Sequence, residues 1–272
     1  MKVYLDHNLI IYLRQSSNKQ LDNKQLENKQ LENKVKEMKE NGFRFIFSPA
    51  HLEEIAVSAM RNKTKKNIID ADIKFLTNLC GTNSLRPRSR NDKDIEFGKE
   101  YPIDCYKRVI EHYSSNDYAE TVDKGIIERA NDNPHSNPKK ANNQNPKDVL
   151  SNITYISLIL QSLMHHGLIT QCEAIKKLQS SPHYNLTNKF CILEHSVNYA
   201  ANLLEQLGYY REKTKKSRSR LHDVSHIIYG KYADIFVTND TKLLKKTQAI
   251  YSLFDIDTKV LTKKEFIQLS IS

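Results

Sequence analysis

Two short runs of β-forming residues end at carboxylates, and helical periodicity follows each. Val3-Tyr4-Leu5-Asp6 precedes Leu9, Ile10 and Leu13. Ala233-Asp234-Ile235-Phe236-Val237-Thr238 runs into Asn239-Asp240, then Leu243 and Leu244. A strand that leads straight into a helix, more than once, builds a parallel sheet, because parallel neighbours need the long crossover that a helix supplies. Phe43 to Phe47 reads as another strand. Ser48-Pro49 then offers an N-cap with proline at the first helical position, and Leu52, Ile55, Ala56 and Ala59 share a face of the helix Pro49 to Met60. Lys259-Val260-Leu261-Thr262 and a helix over 263–269 complete the pattern. The expected fold is α/β, a three-layer sandwich around a central, mostly parallel sheet. Its functional crevice should lie at the carboxyl ends of the strands.

The middle of the chain is different. Helical patterns at Ile68 to Leu79, Cys105 to His112, Val149 to Met164 and Cys172 to Leu178 are separated by polar loops, with no strand alternation. Asn131 to Lys147 is rich in Asn, Pro and Lys, and is expected to be a mobile loop. The division is therefore a core split between 1–60 and 190–272, with a helical insertion at 61–189. A helix over 190–207 resumes the core, a second is expected to open around Asp223, and a short one follows Asp240. The pentad NKQLD, NKQLE, NKQLE spans Asn18 to Glu32. At about 100° per residue its leucines rotate around a helix instead of lining one face, which predicts a solvated helical extension or arm. Leu31, Val35 and Met38 then take up helical spacing, and Gly42 is placed as a C-cap.

Lysine and arginine number 42 against 32 acids, a formal net charge of +10, which points to a polyanionic partner, nucleic acid first. Mean hydropathy is −0.64, and the most apolar run, Tyr155 to Met164, is too short to span a bilayer, so a membrane is not expected as partner. No signal-peptide pattern is evident. Cys80, Cys105, Cys172 and Cys191 lie far apart without a CxxC pair, against a zinc ribbon or disulfide scaffold and in keeping with a reducing cytoplasm. Neither GxGxxG nor a P-loop occurs among the 7 glycines.

Asp6 and Asp240 stand just past two predicted strands. Each could simply cap the next helix. If the strands are neighbours, however, the carboxylates approach, and like charges that close raise each other's pKa unless a cation lies between them. Glu54, after the second strand, and Asp223, before the Asp240 strand, could join them. Four oxygen donors with few histidines suit Mg²⁺ or Mn²⁺. Such a site can activate water and neutralise a scissile phosphate.

These residues carry a family resemblance. Val3-Tyr4-Leu5-Asp6-His7-Asn8, Ser48-Pro49-Ala50-His51-Leu52-Glu53-Glu54-Ile55, Leu221-His222-Asp223-Val224, Ala233 to Asp240 and Lys259 to Phe266 together resemble a PIN-domain nuclease. The stretch Val237-Thr238-Asn239-Asp240 is the most specific piece. The resemblance implies a PIN-like sandwich and a divalent-metal-dependent endonuclease hydrolysing phosphodiester bonds, RNA before DNA. It implies Asp6, Glu54, Asp223 and Asp240 as the catalytic, metal-binding acids, with Thr238 and Asn8 supporting them. Glu54 takes the family's place six residues after Ser48, although helical periodicity leaves Glu53 open. The long helical middle and the repeat depart from compact members. By analogy they suggest the toxin of a toxin–antitoxin pair or an anti-phage effector, with an inhibitory or regulatory protein partner. A second copy of the chain is a further partner class.

Beside Asp223 lies a basic stretch, Arg211, Lys213, Lys215, Lys216, Arg218 and Arg220, suited to a phosphate backbone or to a solvated loop. Leu85 to Arg90 holds a second basic cluster. His51 could orient Glu54, and Tyr209-Tyr210 could stack on bases or pack in the core. His222 and His226 share a helix face without a third ligand at metal-binding spacing, and His165-His166 reads as a surface pair. Two other functions compete. One is a non-catalytic nucleic-acid- or protein-binding module of the same fold. The other is a phosphotransfer domain with Asp6 as nucleophile, which leaves Glu54 and Asp223 without roles.

Overall fold

Strand periodicity decides how the layers form. The computed structural model describes residues 1–16, 23–60, 64–87, 95–111, 115–134, 136–179, 186, 189–214 and 217–270. It opens with β1 (Lys2–Leu5), α1 (His7–Ser16), α2 (Asn23–Glu40), β2 (Arg44–Ile46), α3 (Pro49–Met60) and α4 (Lys66–Cys80). The middle holds β3 (Asn83–Pro87), β4 (Ile95–Lys99), α5 (Pro102–Glu111), α6 (Ser115–Asn131), α7 (Pro138–Asn142), α8 (Pro146–Val149), α9 (Ile153–His165) and α10 (Gln171–Gln179). Then come α11 (Phe190–Leu207), α12 (Ser217–Gly230), β5 (Ile235–Thr238), α13 (Thr241–Phe254), β6 (Lys259–Thr262) and α14 (Lys263–Ile267).

Among the described residues the main sheet has four parallel strands in the order β2-β1-β5-β6. Val3, Leu5, Phe45, Phe47, Ile235 and Val237 enter one buried core, while Tyr4, Ile46 and Phe236 enter another. Successive side chains leave a strand on opposite faces, so strands covered on both sides must be apolar at nearly every position. That is why the sequence shows solid apolar runs. Helices α1 to α4 supply the first core, and α9 and α11 to α13 the second. The chain leaves β1 for β2 on one side and later returns to β5 on the other. The gap between the carboxyl ends of β1 and β5 is thus a topological switch point, where open α/β sheets form their crevice.

The repeat behaves as its pentad spacing requires. Leu31 is fully buried and Leu26 is exposed, while Leu21 lies outside the described residues. Val35 and Met38 are buried with Leu31, and Gly42 takes a left-handed φ of 79° at the turn after α2.

Four expectations are corrected. The middle is not purely helical, since β3 and β4 form an antiparallel hairpin. It continues the sheet beyond β2: Leu85 N donates to Phe47 O at 2.8 Å, and Phe47 N to Asn83 O at 3.1 Å. Its strand character comes from the antiparallel pairing of β3 with β4 and not from an apolar pattern. The Asn/Pro-rich stretch, apart from 135, which lies outside the described residues, is structured and not a mobile loop. Asn137 and Asn145 cap α7 and α8 through Lys140 N and Lys147 N, both at 3.0 Å, each before a proline, and Asn142 Oδ1 accepts Tyr210 N–H at 2.6 Å. Polar residues there satisfy local backbone donors. The helix expected to open around Asp223 begins at Ser217, so Asp223 lies inside it. The helix after Asp240 is not short, running 14 residues to Phe254. The middle shares both cores with the flanking segments, Ile69 and Ile73 in one, Ile156 and Leu160 in the other.

Candidate active site

Asp6 follows β1 directly and Thr238 ends β5, and the register pairs Leu5 with Val237 one step earlier. Asp6 N–H donates to Val237 O at 3.0 Å, which sets the two side chains next to each other. Thr238 Oγ1 donates to Asp6 Oδ2, and Leu9 N–H donates to Asp6 Oδ1 at 2.9 Å. Asp240 N–H in turn donates to Thr238 Oγ1 at 3.0 Å. Asp240 Oδ1 accepts from Lys242 N at 2.7 Å and Leu243 N at 3.1 Å. Both strand-end acids therefore do cap the helices that follow them. Capping alone would not call for a charge at Asp6, since asparagine or serine caps a helix about as well.

Asp6 is only 1% exposed. Burial is the main force that pushes its carboxyl up to about 7, opposed by the Thr238 and Leu9 hydrogen bonds and reinforced by the charges of Glu54 and Asp240. Asp223 is held well above the usual carboxylate range, first by enclosure of its carboxyl. Lys246 pulls it down, while Asp240, Glu54 and Glu212 push it up. Glu54 and Asp240 thus act on both enclosed acids, although the four residues come from α3, α12 and the ends of β1 and β5. Asp223 makes no hydrogen bond or ion pair with another described residue. The two glutamates differ in their contacts. Glu54 Oε1 meets His226 Nε2 at 2.7 Å and Glu54 is the glutamate that acts on Asp6 and Asp223, whereas Glu53 Oε2 stands 3.8 Å from His222 Nδ1.

A group of buried histidines lies beneath the acids. Burial lowers His7 to about 4 and His51 and His226 to about 3, so all three are neutral at pH 7. His222 is buried with neither ring nitrogen hydrogen-bonded, and His7 Nδ1 is likewise without a hydrogen bond. His51 does not reach Glu54. Its Nε2 bonds Leu5 O at 2.8 Å and its Nδ1 accepts Ser48 N–H at 3.2 Å, so it braces the strand ends. Sequence reasoning missed His226 as the partner of Glu54. The only signal was its place four residues after His222.

Asn8 is exposed and makes no hydrogen bond to Asp6. Within the basic stretch, Arg220 is turned inward, and the expected phosphate contact there is corrected. It is 3% exposed and pairs with Asp123, with Glu205 at 3.4 Å and with Asn202. The cause is helix geometry, since Arg220, Val224 and Ile227 occupy the inner face of α12. Arg211 is occupied by Glu205 O at 2.9 Å and Gln206 O at 3.4 Å. Lys213 is exposed, Lys215 and Lys216 lie outside the described residues, and Arg218 is in α12. Tyr209 is fully buried, and so packs in the core instead of presenting a stacking face. In the second basic cluster Arg86 is exposed, and 88–90 lie outside the described residues.

No family model matches this chain, and no curated protein or solved structure does either. The site's chemistry has to be read from its own groups. Its donor set, the carboxylates of Asp6, Glu54, Asp223 and Asp240, suits a hard divalent cation in chemical type. Among the described residues, no three His, Cys, Asp or Glu side chains are grouped closely enough to hold an ion as they stand. Among the same residues no helix is long and apolar enough to cross a membrane.

Proposed function

We propose that the chain is a divalent-metal-dependent endonuclease of PIN-like architecture, acting on RNA in preference to DNA. The observation that carries the reading is the gathering of Asp6, Glu54, Asp223 and Asp240 at the sheet's switch point, where burial raises Asp6 and Asp223 and the charges of Glu54 and Asp240 add to both. A divalent cation relieves that repulsion, and when bound it lowers the pKa of a water and stabilises charge on a phosphodiester. Asp6, Glu54, Asp223 and Asp240 would hold it, Mg²⁺ or Mn²⁺, with exposed Asp240 drawn inward. Thr238 keeps Asp6 aligned, and Asp240 is tied to the same hydroxyl through its backbone. Of the basic stretch, exposed Lys213 would attract a phosphate backbone. The preference for RNA, and a role as toxin or anti-phage effector held by an inhibitory protein, rest on the resemblance to PIN domains.

The test is a panel of RNAs and DNAs incubated with the purified protein, with and without Mn²⁺ or Mg²⁺. Wild type should cleave only with metal, and Asp6→Asn and Asp240→Asn should each abolish cleavage with far-ultraviolet circular dichroism unchanged. Cleavage retained in either variant would sink the assignment. One observation favours a second reading, a non-catalytic binding module: the absence of a ready three-residue metal cage among the described residues. Binding of nucleic acid without cleavage under every divalent metal would decide for it.

A further inference from the structure

A continuous chain of buried hydrogen bonds runs from the sheet to Glu54. Ser48 Oγ lies 2.7 Å from Tyr4 OH, Tyr4 OH lies 2.7 Å from His226 Nδ1, and His226 Nε2 lies 2.7 Å from Glu54 Oε1. A carboxylate only accepts, so His226 Nε2–H donates to it. On the other edge of the ring the Tyr4 hydroxyl lies against Nδ1, so the imidazole is held between Tyr4 and Glu54. The Ser48 hydroxyl in turn lies against the Tyr4 oxygen. The alternative acceptor for Ser48, His51 Nδ1, is 3.5 Å away and already takes Ser48 N–H at 3.2 Å. His51 Nε2–H is committed to Leu5 O. The chain of contacts fixes the His226 ring and presents its Nε2 edge to Glu54.

The chain also joins the elements that carry the acids. Tyr4 is two residues before Asp6 on β1, Glu54 is on α3, and His226 is three residues after Asp223 on α12. Glu54 Oε2 makes no hydrogen bond within the described residues. We infer that Tyr4 and His226 are positioning residues that hold Glu54 by one oxygen and leave the other directed to a divalent cation shared with Asp6, Asp223 and Asp240. The inference rests on the metal-dependent reading of the site. Hydrogen bonds of this kind to ligating groups are worth about 10–100-fold in metal affinity.

The test is Mn²⁺ binding to the full chain, read by loss of the free-ion electron paramagnetic resonance signal, with no nucleic acid present. Two substitutions of similar polarity separate the functions of His226. In His226→Gln the amide nitrogen falls near the position of Nε2 and can still donate to Glu54. In His226→Asn the amide reaches only the Nδ1 position, beside Tyr4. His226→Gln should bind Mn²⁺ within several-fold of wild type, and His226→Asn about 10–100-fold more weakly. Tyr4→Phe should weaken binding several-fold, because the His226 ring then loses the contact that holds its Nδ1 edge. Equal Mn²⁺ affinity in the Gln and Asn variants overturns the inference and leaves the metal-dependent reading intact. A wild type that binds no Mn²⁺ overturns both.

Discussion

The Thr238 hydroxyl donates to Asp6 Oδ2 and accepts the backbone N–H of Asp240 at 3.0 Å. One side chain at the end of β5 thereby orients the acid of β1 and the turn that carries the next acid. Thr238→Val keeps the shape and removes both bonds. It leaves a buried carboxyl short of a donor and a backbone N–H short of an acceptor, so a loss of about 1.5–3 kcal/mol is expected. Urea denaturation measures it, and Thr238→Ser should recover most of the stability.

Protonation of the buried groups gives stability two opposed dependences on pH. Asp6 titrates near 7 in the fold and near about 3.9 in the unfolded chain. Between these values the folded state keeps a proton that the unfolded state has lost, so stability falls as pH rises from about 4 through 7, by at most about 1.4 kcal/mol per unit. His7, His51 and His226 titrate near 4, 3 and 3 in the fold, below the ordinary value of about 6.5. Below about 6.5 the unfolded chain takes up their protons first, so stability also falls as pH drops toward 3. Thermal unfolding of wild type and Asp6→Asn from pH 5 to 8 should show a gap in favour of the variant that widens with pH. Mn²⁺ should close it. A gap constant across that range counts against the assignment of the neutral limb to Asp6.

Arg220 anchors α12 to the middle of the chain. Its guanidinium meets Asp123 of α6 and Glu205 of α11, and Lys246 of α13 meets Glu205 at 2.5 Å and Glu212 at 3.5 Å. Removing one partner of a buried pair strands the other charge, at a cost of roughly 3–5 kcal/mol. Arg220→Met should lower the urea midpoint accordingly. A change under 1 kcal/mol would assign this cluster to the solvated surface.

Gly208 joins α11 to the segment that Asn142 and Pro138 brace. Its φ is +80°, and an added Cβ would lie 2.9 Å from Pro138 Cγ and 3.0 Å from Pro138 Cα. Gly208→Ala combines a left-handed alanine with overpacking, together about 2–4 kcal/mol. Gly167→Ala, at φ +66° with open space around it, isolates the backbone cost of about 1–2 kcal/mol. Similar losses in the two variants would show that Pro138 yields.

Much of the outline was legible locally. The helix Pro49–Met60 follows from its cap and apolar face, and β1, β5 and β6 follow from apolar runs ending at turn residues. Asp6 and Asp240 drew notice because strand ends in an α/β chain are where chemistry collects, while Glu54 and Asp223, on helices, were added by the resemblance to PIN domains. The β3–β4 hairpin was not legible, since the pairing of its two strands with each other, and not an apolar pattern, makes them strands. Nor was the order in the Asn/Pro-rich stretch, because composition records polarity and not whether each amide finds a backbone donor.

Periodicity and caps are properties of neighbours along the chain, so the amino-acid sequence by itself determined the alternating elements, the doubly buried strands and the four acids. Whether Glu53 or Glu54 faces the acids, whether Arg220 meets solvent or Asp123, and which histidine supports the site depend on rotation of α3 and α12 against each other. Tertiary packing alone decided those. Residues four positions apart share a helix face, and adjacent ones can flank the same seam, so only the neighbouring helix assigns one of them a partner.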